Sequence, residues 1–236
     1  LIHTVAETGS TSADLAARLG AGERVAEGDW LVADRQNAGR GRHGRPWQDA
    51  SGNFMGSTVV HPGPGDPPPH TLTLATALAA YEAVVPLLPD PRALVIKWPN
   101  DLLLGGAKLS GILLEREGDA VVVGIGINLA QAPDLPDRPT VALSDLGPAP
   151  DRDAFALALA AAFDREIERW RTFGIEPLIR RWLAVAHPLD TPLKVHDADG
   201  VPTSGTFAGL APDASLLLRL EDGTTRAIHA GDVTLG

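Results

Sequence analysis

The chain has no cysteine. Disulfides, thiolate zinc sites, iron–sulfur clusters and cysteine nucleophiles are therefore excluded, a composition at home in a reducing cytoplasm, the expected location. Basic residues are the minority, 20 against 30 acidic ones for a net charge of -10, which disfavours DNA or an anionic membrane as principal partner. No uninterrupted apolar segment reaches membrane-spanning length, and Leu1 to Val5 show no basic patch leading into an apolar run, so neither a membrane span nor a signal peptide is expected. The G-x-x-x-x-G-K-[ST] phosphate loop and the G-x-S-x-G nucleophile elbow are missing. Gly124-Ile125-Gly126-Ile127-Asn128 lacks the third glycine and the helix opening of a dinucleotide fingerprint, and the seven histidines have no metal-ligand spacing.

What is present is concentrated in one stretch, Ala38-Gly39-Arg40-Gly41-Arg42-His43-Gly44-Arg45-Pro46-Trp47, followed by Gln48, Asp49, Ala50, Ser51, Gly52 and Asn53. Its glycines let backbone approach a ligand closely, and Arg40, Arg42 and Arg45 supply fixed forks of donors. In an acidic molecule these arginines form a local positive island suited to folding over an anion. A solvated loop kept soluble by its arginines is the bland alternative, and a short RNA-binding segment a weaker one.

The 236 residues suffice for one large core or for a main domain with a small one. Ile2 to Val5 reads as a short strand, and the hydroxyls of Ser10, Thr11 and Ser12 precede a helix from Ala13 to Leu19 that Gly20 and Gly22 end. Capping explains Ser10 and Thr11, although a capped helix start also holds anions. Strands are expected at Asp29 to Asp34, Asn53 to Val60, Val95 to Trp98, Lys108 to Glu115 and Ala120 to Asn128, with Leu102 to Leu104 also strand-like and turns at Gly105-Gly106 and Glu117-Gly118-Asp119. An apolar helix runs from about Leu72 to Leu88, kinked or ended by Pro86. This describes a mixed, largely antiparallel sheet with helices on one side.

Residues 130 to 150 hold five prolines and read as a surface connection with a turn around Ala142 to Leu146. Asp153 is expected to cap a helix from Ala154 to about Phe173, with Phe155, Leu159, Phe163, Ile167 and Trp170 as its apolar stripe. Gly174 interrupts before a shorter helix from Glu176 to Ala186. Composition changes at His187-Pro188. Strand candidates Leu193 to His196, Gly205 to Leu210, Ser215 to Leu220 and Thr225 to His229, separated by turns at Asp199-Gly200, Ala211-Pro212-Asp213 and Asp222-Gly223, suggest a small barrel of four or five strands.

Lys97 and Lys108 lie in or beside apolar strand sequence, where each either extends its ammonium to the surface or meets a phosphate or carboxylate. Asp101 could help place Mg2+, and Asn128, polar at the end of an apolar strand, needs hydrogen bonds from a nucleobase edge or from neighbouring backbone.

In order and with ordinary spacing, AGRGRHGRPW with SGNFMGS, KWPNDL, KLSGILLE and GIGIN resemble the biotin protein ligases over nearly the whole chain, in the short form without an N-terminal DNA-binding domain. The resemblance implies an α+β fold: a mixed catalytic sheet like that of class II aminoacyl-tRNA synthetases over residues 1–187, and an SH3-like barrel over 188–236. It implies ATP, Mg2+ and biotin as reactants, biotinyl-5'-AMP as intermediate, and a lysine of a biotin carboxyl carrier domain as acceptor. It also implies no operator DNA, no membrane, and a monomer or homodimer. On it, Ser10, Thr11 and Gln36 match biotin-contacting positions, and Gly39, Arg40, Gly41, Arg42 and Arg45 belong to a loop ordered by ligand. Arg40 and Arg42 face the biotin carboxylate and the ATP phosphates, and Lys108 bridges carboxylate and α-phosphate. Trp47 and Asn53 frame the adenylate, Asn100 and Asp101 sit by the nucleotide and its Mg2+, and Gly111, Ile112, Gly124 and Gly126 wall the biotin pocket beside Asn128, an adenine neighbour. Two positions depart from the family pattern: Ser12 stands where Asn is frequent, and His43 where a third adjacent basic residue is frequent. A lipoate or other acid ligase of the same fold, and a nonenzymatic biotin sensor, are the alternative functions.

Overall fold

The computed structural model describes residues 1–48, 51–196 and 202–235. Asp49, Ala50 and the expected Asp199-Gly200 turn lie outside the described residues.

Seven strands form the main sheet: β1 (Ile2–Thr8), β2 (Trp30–Gln36), β3 (Phe54–Val60), β4 (Leu94–Lys97), β5 (Asp101–Leu104), β6 (Ala107–Glu117) and β7 (Ala120–Ile127). Their order is β1-β2-β3-β7-β6-β5-β4, with β1 and β2 parallel and every other pair antiparallel. Period-two alternation divides β7 between two layers. Val121, Val123, Ile125 and Ile127 join the large core, and Ala120 and Val122 join a smaller cluster with Leu15, Val25 and Val59.

Helices cover both faces, not one as the sequence reading had it. Helix α1 (Thr11–Gly20) lies on the small-cluster face, where Leu15 is buried. On the other face α2 (Leu72–Val84) is buried almost all round, which is why its sequence is apolar without a polar stripe. It stops where Pro86 forces a 3-10 turn, Val85–Leu87. Packed on it are α3 (Arg152–Phe173), with the expected stripe buried, and α4 (Ile175–Leu183). The N-cap of α3 is Asp151, whose Oδ1 accepts from Ala154 N at 2.8 Å; Asp153, the expected cap, is already in the first turn.

These three helices share one ionic cluster. Glu166 of α3 is fully buried and takes Arg169 at 2.5 Å and Arg181 of α4 at 2.6 Å, while Glu82 of α2 reaches both arginines at 3.1 and 3.0 Å.

The C-terminal strands are β8 (Pro192–His196), β9 (Pro202–Leu210), β10 (Leu216–Arg219), β11 (Thr225–Ile228) and β12 (Asp232–Leu235), in the antiparallel order β11-β10-β9-β8-β12. The last of these had no strand assignment from sequence. The large core continues into this sheet: Trp182 packs on Phe207 with ring centroids 6.4 Å apart, and Trp98 Nε1 donates to Ala214 O at 3.2 Å. Among the described residues no helix is long and apolar enough to cross a membrane.

His187 sits at this junction, its ring 4.4 Å from that of Phe207. Burial pushes its pKa down to about 4, a backbone contact to Pro188 offsetting part of the shift. The unfolded chain binds the proton near the ordinary 6.5, so neutral His187 contributes stability that is complete above that value. The contribution is lost as pH falls toward 4, on the order of 3 kcal/mol in all. Urea midpoints at pH 7 and pH 5 are expected to differ less for His187→Phe than for the unsubstituted chain. Equal differences would remove the assignment.

Candidate active site

The candidate site lies on the α1 face of the main sheet, where β6 and β7 are pared to glycine. Gly111 and Gly126 are paired across the strands, and the Trp47 indole rests on them. A Cβ on Gly126 would meet the indole at 2.3 Å and one on Gly111 at 3.1 Å. A Cβ on Gly124 would meet Ser12 Oγ at 2.5 Å. The glycines thus make a flat floor that any side chain would fill.

Lys108 reaches this floor because of a bulge. Residues three apart on a regular strand face opposite sides, yet Lys108 and Gly111 both line the cavity. The β5–β6 register slips between Leu102 and Leu103, so that Leu102 pairs with Ser110 and Leu103 with Lys108. Leu109 and Ser110 are both buried away from the cavity, and the side-chain sequence is shifted by one.

One end of the cavity, about 250 Å³ in volume, is neutral and rich in hydroxyls. Gln36 Oε1 accepts from Thr11 N at 2.7 Å and from Thr11 Oγ1 at 3.0 Å. Since Thr11 gives its proton to Gln36, Ser57 donates to Thr11 at 2.7 Å and Ser12 to Ser57 at 2.9 Å. Ser10 Oγ, at 3.4 Å from Ala13 N, caps α1 and also lines the cavity.

The other end is charged. The glycine-arginine loop closes on itself through Gly41 N to Arg45 O at 2.7 Å and Trp47 N to Gly39 O at 2.9 Å. A Cβ on Gly39 would meet Trp47 O at 2.8 Å, so this closure requires glycine. Arg42 Nη1 donates to Asn100 Oδ1 at 3.4 Å and Gly231 O at 3.3 Å. Burial pulls the Arg42 pKa down, against the opposing fields of Asp232 and Asp101. Asp232 of β12 takes Arg45 at 2.5 Å, with Arg42 at 3.8 Å and His43 at 3.7 Å. Arg40 lies 3.9 Å from Glu115.

Asp101 is held between Lys108 at 2.7 Å and Lys97 at 3.0 Å. Burial pushes its carboxyl up, but the two lysines outweigh burial and leave it below the usual carboxylate range. Of the two lysines, Lys108 lines the cavity, with Nζ 6.0 Å from the Trp47 ring centroid. Lys97 instead donates to Val233 O at 3.0 Å, tying the two sheets together. Both Asp101 oxygens face lysines, and no group of three or more His, Cys, Asp or Glu side chains stands ready for a metal among the described residues. This donor set does not fit a resident cation.

The structure gathers Ser10, Thr11, Gln36, Arg40, Gly41, Arg42, Arg45, Trp47, Asn100, Asp101, Lys108, Gly111, Ile112, Gly124, Gly126 and Asn128 around one cavity. Gly39 and Asn53 stand behind that lining. Asn53 Oδ1 accepts from Ala130 N at 2.9 Å and Gln131 N at 3.1 Å, so it anchors the start of the 130–141 connection. Asn128 Nδ2 donates to Val141 O at 3.1 Å, answering with backbone the need that its burial creates. Among the lining residues without a role from sequence are Ser57, Asp232 and Arg138. Ser57 lay inside a recognised strand, but Asp232 and Arg138 stand in segments without any local signal.

A model of the biotin/lipoate A/B protein ligase family matches residues 22–130. The chain is 37% identical to the biotin–[acetyl-CoA-carboxylase] ligase of Paracoccus denitrificans, over 98% of this chain and 99% of that one. It is also 37% identical to the ligase of the same name from Mycobacterium tuberculosis, over 98% of this chain and 88% of that one. Among solved structures, the biotin protein ligase of Aquifex aeolicus in complex with biotin and ATP superposes with a TM-score of 0.86 at 26% identity, covering 100% of this chain and 98% of that chain. Sequence identity of this extent over nearly the full length of both chains, on the same fold, has one meaning: the chain belongs to the biotin protein ligase family.

Proposed function

We propose that this chain is an ATP-dependent biotin ligase, which forms biotinyl-5'-AMP and passes the biotinyl group to a specific lysine of the biotin carboxyl carrier domain of a carboxylase. The observation that carries the reading is the division of one cavity into a neutral hydroxyl end, a flat glycine floor and a cationic end. A ureido ring offers donors and an acceptor to Thr11, Gln36 and Ser57. The apolar ring system and chain of biotin need a flat, side-chain-free floor such as Gly111, Gly124 and Gly126 with the backbone of Ile112 provide. Its carboxylate is matched by Arg40, Arg42 and Lys108.

In the first step a carboxylate oxygen forms a bond to the α-phosphorus of ATP, the bond to the bridging oxygen breaks, and pyrophosphate leaves with the electron pair. The barrier is set by bringing two anions together, so fixed cations and restricted motion supply the catalysis. Lys108 is the side chain assigned to both anions, Asn100, Trp47 and Asn128 border the nucleotide, and Asn53 supports the loop over it. Magnesium enters with the substrate as MgATP; Asp101 serves the lysines. In the second step the unprotonated amine of the acceptor lysine attacks the acyl carbon, the bond from that carbon to the phosphate oxygen breaks, AMP leaves, and the amine proton passes to solvent. Residues 1–187 are assigned the catalytic unit and 188–236 the SH3-like unit, which contributes Asp232.

The hydroxyl end favours biotin over lipoate. A dithiolane ring has no hydrogen-bonding groups to join the chain of Thr11, Ser57 and Gln36, whereas a ureido ring gains from a site built to hydrogen-bond its ligand, and such a difference discriminates between ligands. Intact-mass analysis of a carrier domain incubated with this protein, MgATP and either acid is expected to show one added biotin, lost when the acceptor lysine is replaced, and no added lipoyl group. Lipoyl addition without biotin would reassign the substrate, and ligand binding without pyrophosphate release would make the protein a sensor.

A further inference from the structure

The connection between β7 and α3 carries a cation that belongs to none of the motif blocks. Arg138 lines the cavity and borders its open rim, with only about a quarter of its side chain exposed. Its single ionic partner among the described residues is the adjacent Asp137, whose Oδ2 lies 3.0 Å from Nε and 2.5 Å from Nη2. Asp137 itself is largely exposed, and a neighbouring exposed carboxylate contributes little to holding a fold.

The loop does not need Arg138 for its shape. Asn53 fixes residues 130 and 131, Lys108 N donates to Pro139 O at 2.9 Å, and Val141 N donates to Lys108 O at 3.0 Å. These bonds place Thr140 beside Lys108 and carry Arg138 two residues further along the wall. There the guanidinium lies within the fields of Asp101 and Asp232, and Asp137 lies within that of Arg45 on the facing loop.

Lys108 is matched by Asp101 and Arg45 by Asp232, and Arg40 and Arg42 are assigned to the biotin carboxylate, so the outer phosphates of a triphosphate gain from a further cation. We propose that Arg138 exchanges Asp137 for the β- and γ-phosphates of ATP, and so binds the part of the nucleotide that departs as pyrophosphate. The proposal rests on the adenylating reading. Its guanidinium fork suits two phosphate oxygens, and its place in the cavity wall, two residues from the Thr140–Lys108 bridge, sets it in the same cavity as the ammonium assigned to the α-phosphate.

The test compares the unsubstituted chain with Arg138→Gln and Arg138→Lys. For Arg138→Gln, KM for MgATP is expected to rise about 10-fold, the loss of one charge-assisted contact, with inhibition by pyrophosphate weakened by a similar factor. Biotin affinity measured without nucleotide is expected to stay unchanged, and lysine to restore part of the loss as a point charge. Unchanged KM for MgATP and unchanged pyrophosphate inhibition would overturn the proposal, as would an equal loss of biotin affinity, which would mark a structural residue. Direct titration with inorganic pyrophosphate separates the two readings. If the unsubstituted chain forms no adenylate, the adenylating reading fails, while an Arg138-dependent pyrophosphate affinity still upholds the anion site and its absence overturns it.

Discussion

Lys108→Ala is expected to slow biotinyl-adenylate formation about 10²–10³-fold, the size of effect that follows removal of one preorganised electrostatic contact. The ammonium stands over the glycine floor, 2.7 Å from Asp101, at the point where the neutral pocket gives way to the cationic rim. Lys97 is turned toward Val233 O, and Arg42 and Arg45 approach from the opposite loop, held by Asp232. The variant remains folded because Asp101 keeps Lys97 at 3.0 Å, so its carboxylate is not left as an isolated buried charge.

Single-turnover measurement of adenylate, with thermal unfolding alongside, separates chemistry from folding. Arginine is a poor substitute, since a planar fork does not reproduce a compact point charge between two oxygens, and Lys108→Arg is expected to recover only a minor part of the rate. An adenylation rate within about three-fold of the unsubstituted chain for Lys108→Ala would remove Lys108 from its assigned role, because an effect of that size is below the loss of a single net hydrogen bond to a charged group.

Much of this site was legible because its parts are local. The glycine-arginine stretch, the KWPNDL and KLSGILLE strands and the GIGIN strand each carry their chemistry within a dozen residues, and each strand was placed within two residues of its observed end. The β-bulge was not legible. A regular strand puts Lys108 and Gly111 on opposite faces, and only the pairing with β5 reveals the slip that unites them. Asp232 was missed for a related reason: its strand follows a turn that no periodic pattern marks, and its partners Arg42 and Arg45 stand almost a full chain away. Asn53 and Asn128 show the converse limit. A sequence tells that a polar side chain near apolar strands needs partners, but not that backbone of the 130–141 connection supplies them. The helices were placed on one side because α1 buries a single leucine in its own stripe, too little apolar pattern to announce a second covered face.

The second large effect concerns the scaffold behind the sheet. Glu166→Ala is expected to destabilise the protein by about 3 kcal/mol, lowering its melting temperature by roughly 6–12 °C for a chain of this size. Glu166 is fully buried, yet its carboxyl stays below the ordinary range: burial pushes it up, and hydrogen bonds and charges from Arg181 and Arg169 outweigh that push. Among the described residues, removing it leaves Glu82 as the only carboxylate for both guanidiniums and unties α3 from α4, whose Trp182 packs against the C-terminal sheet. The cost stays at the low end for a broken buried pair because Arg169 and Arg181 are 43% and 35% exposed and regain water. The cluster lies on the face of the sheet opposite the cavity, so biotinylation kinetics at a temperature well below unfolding are expected to change less than two-fold. A stability loss under about 1 kcal/mol would mean that the cluster is a set of solvated surface pairs, and a large kinetic change at low temperature would mean that α4 and the C-terminal sheet hold Asp232 against the arginine loop more directly than their packing implies.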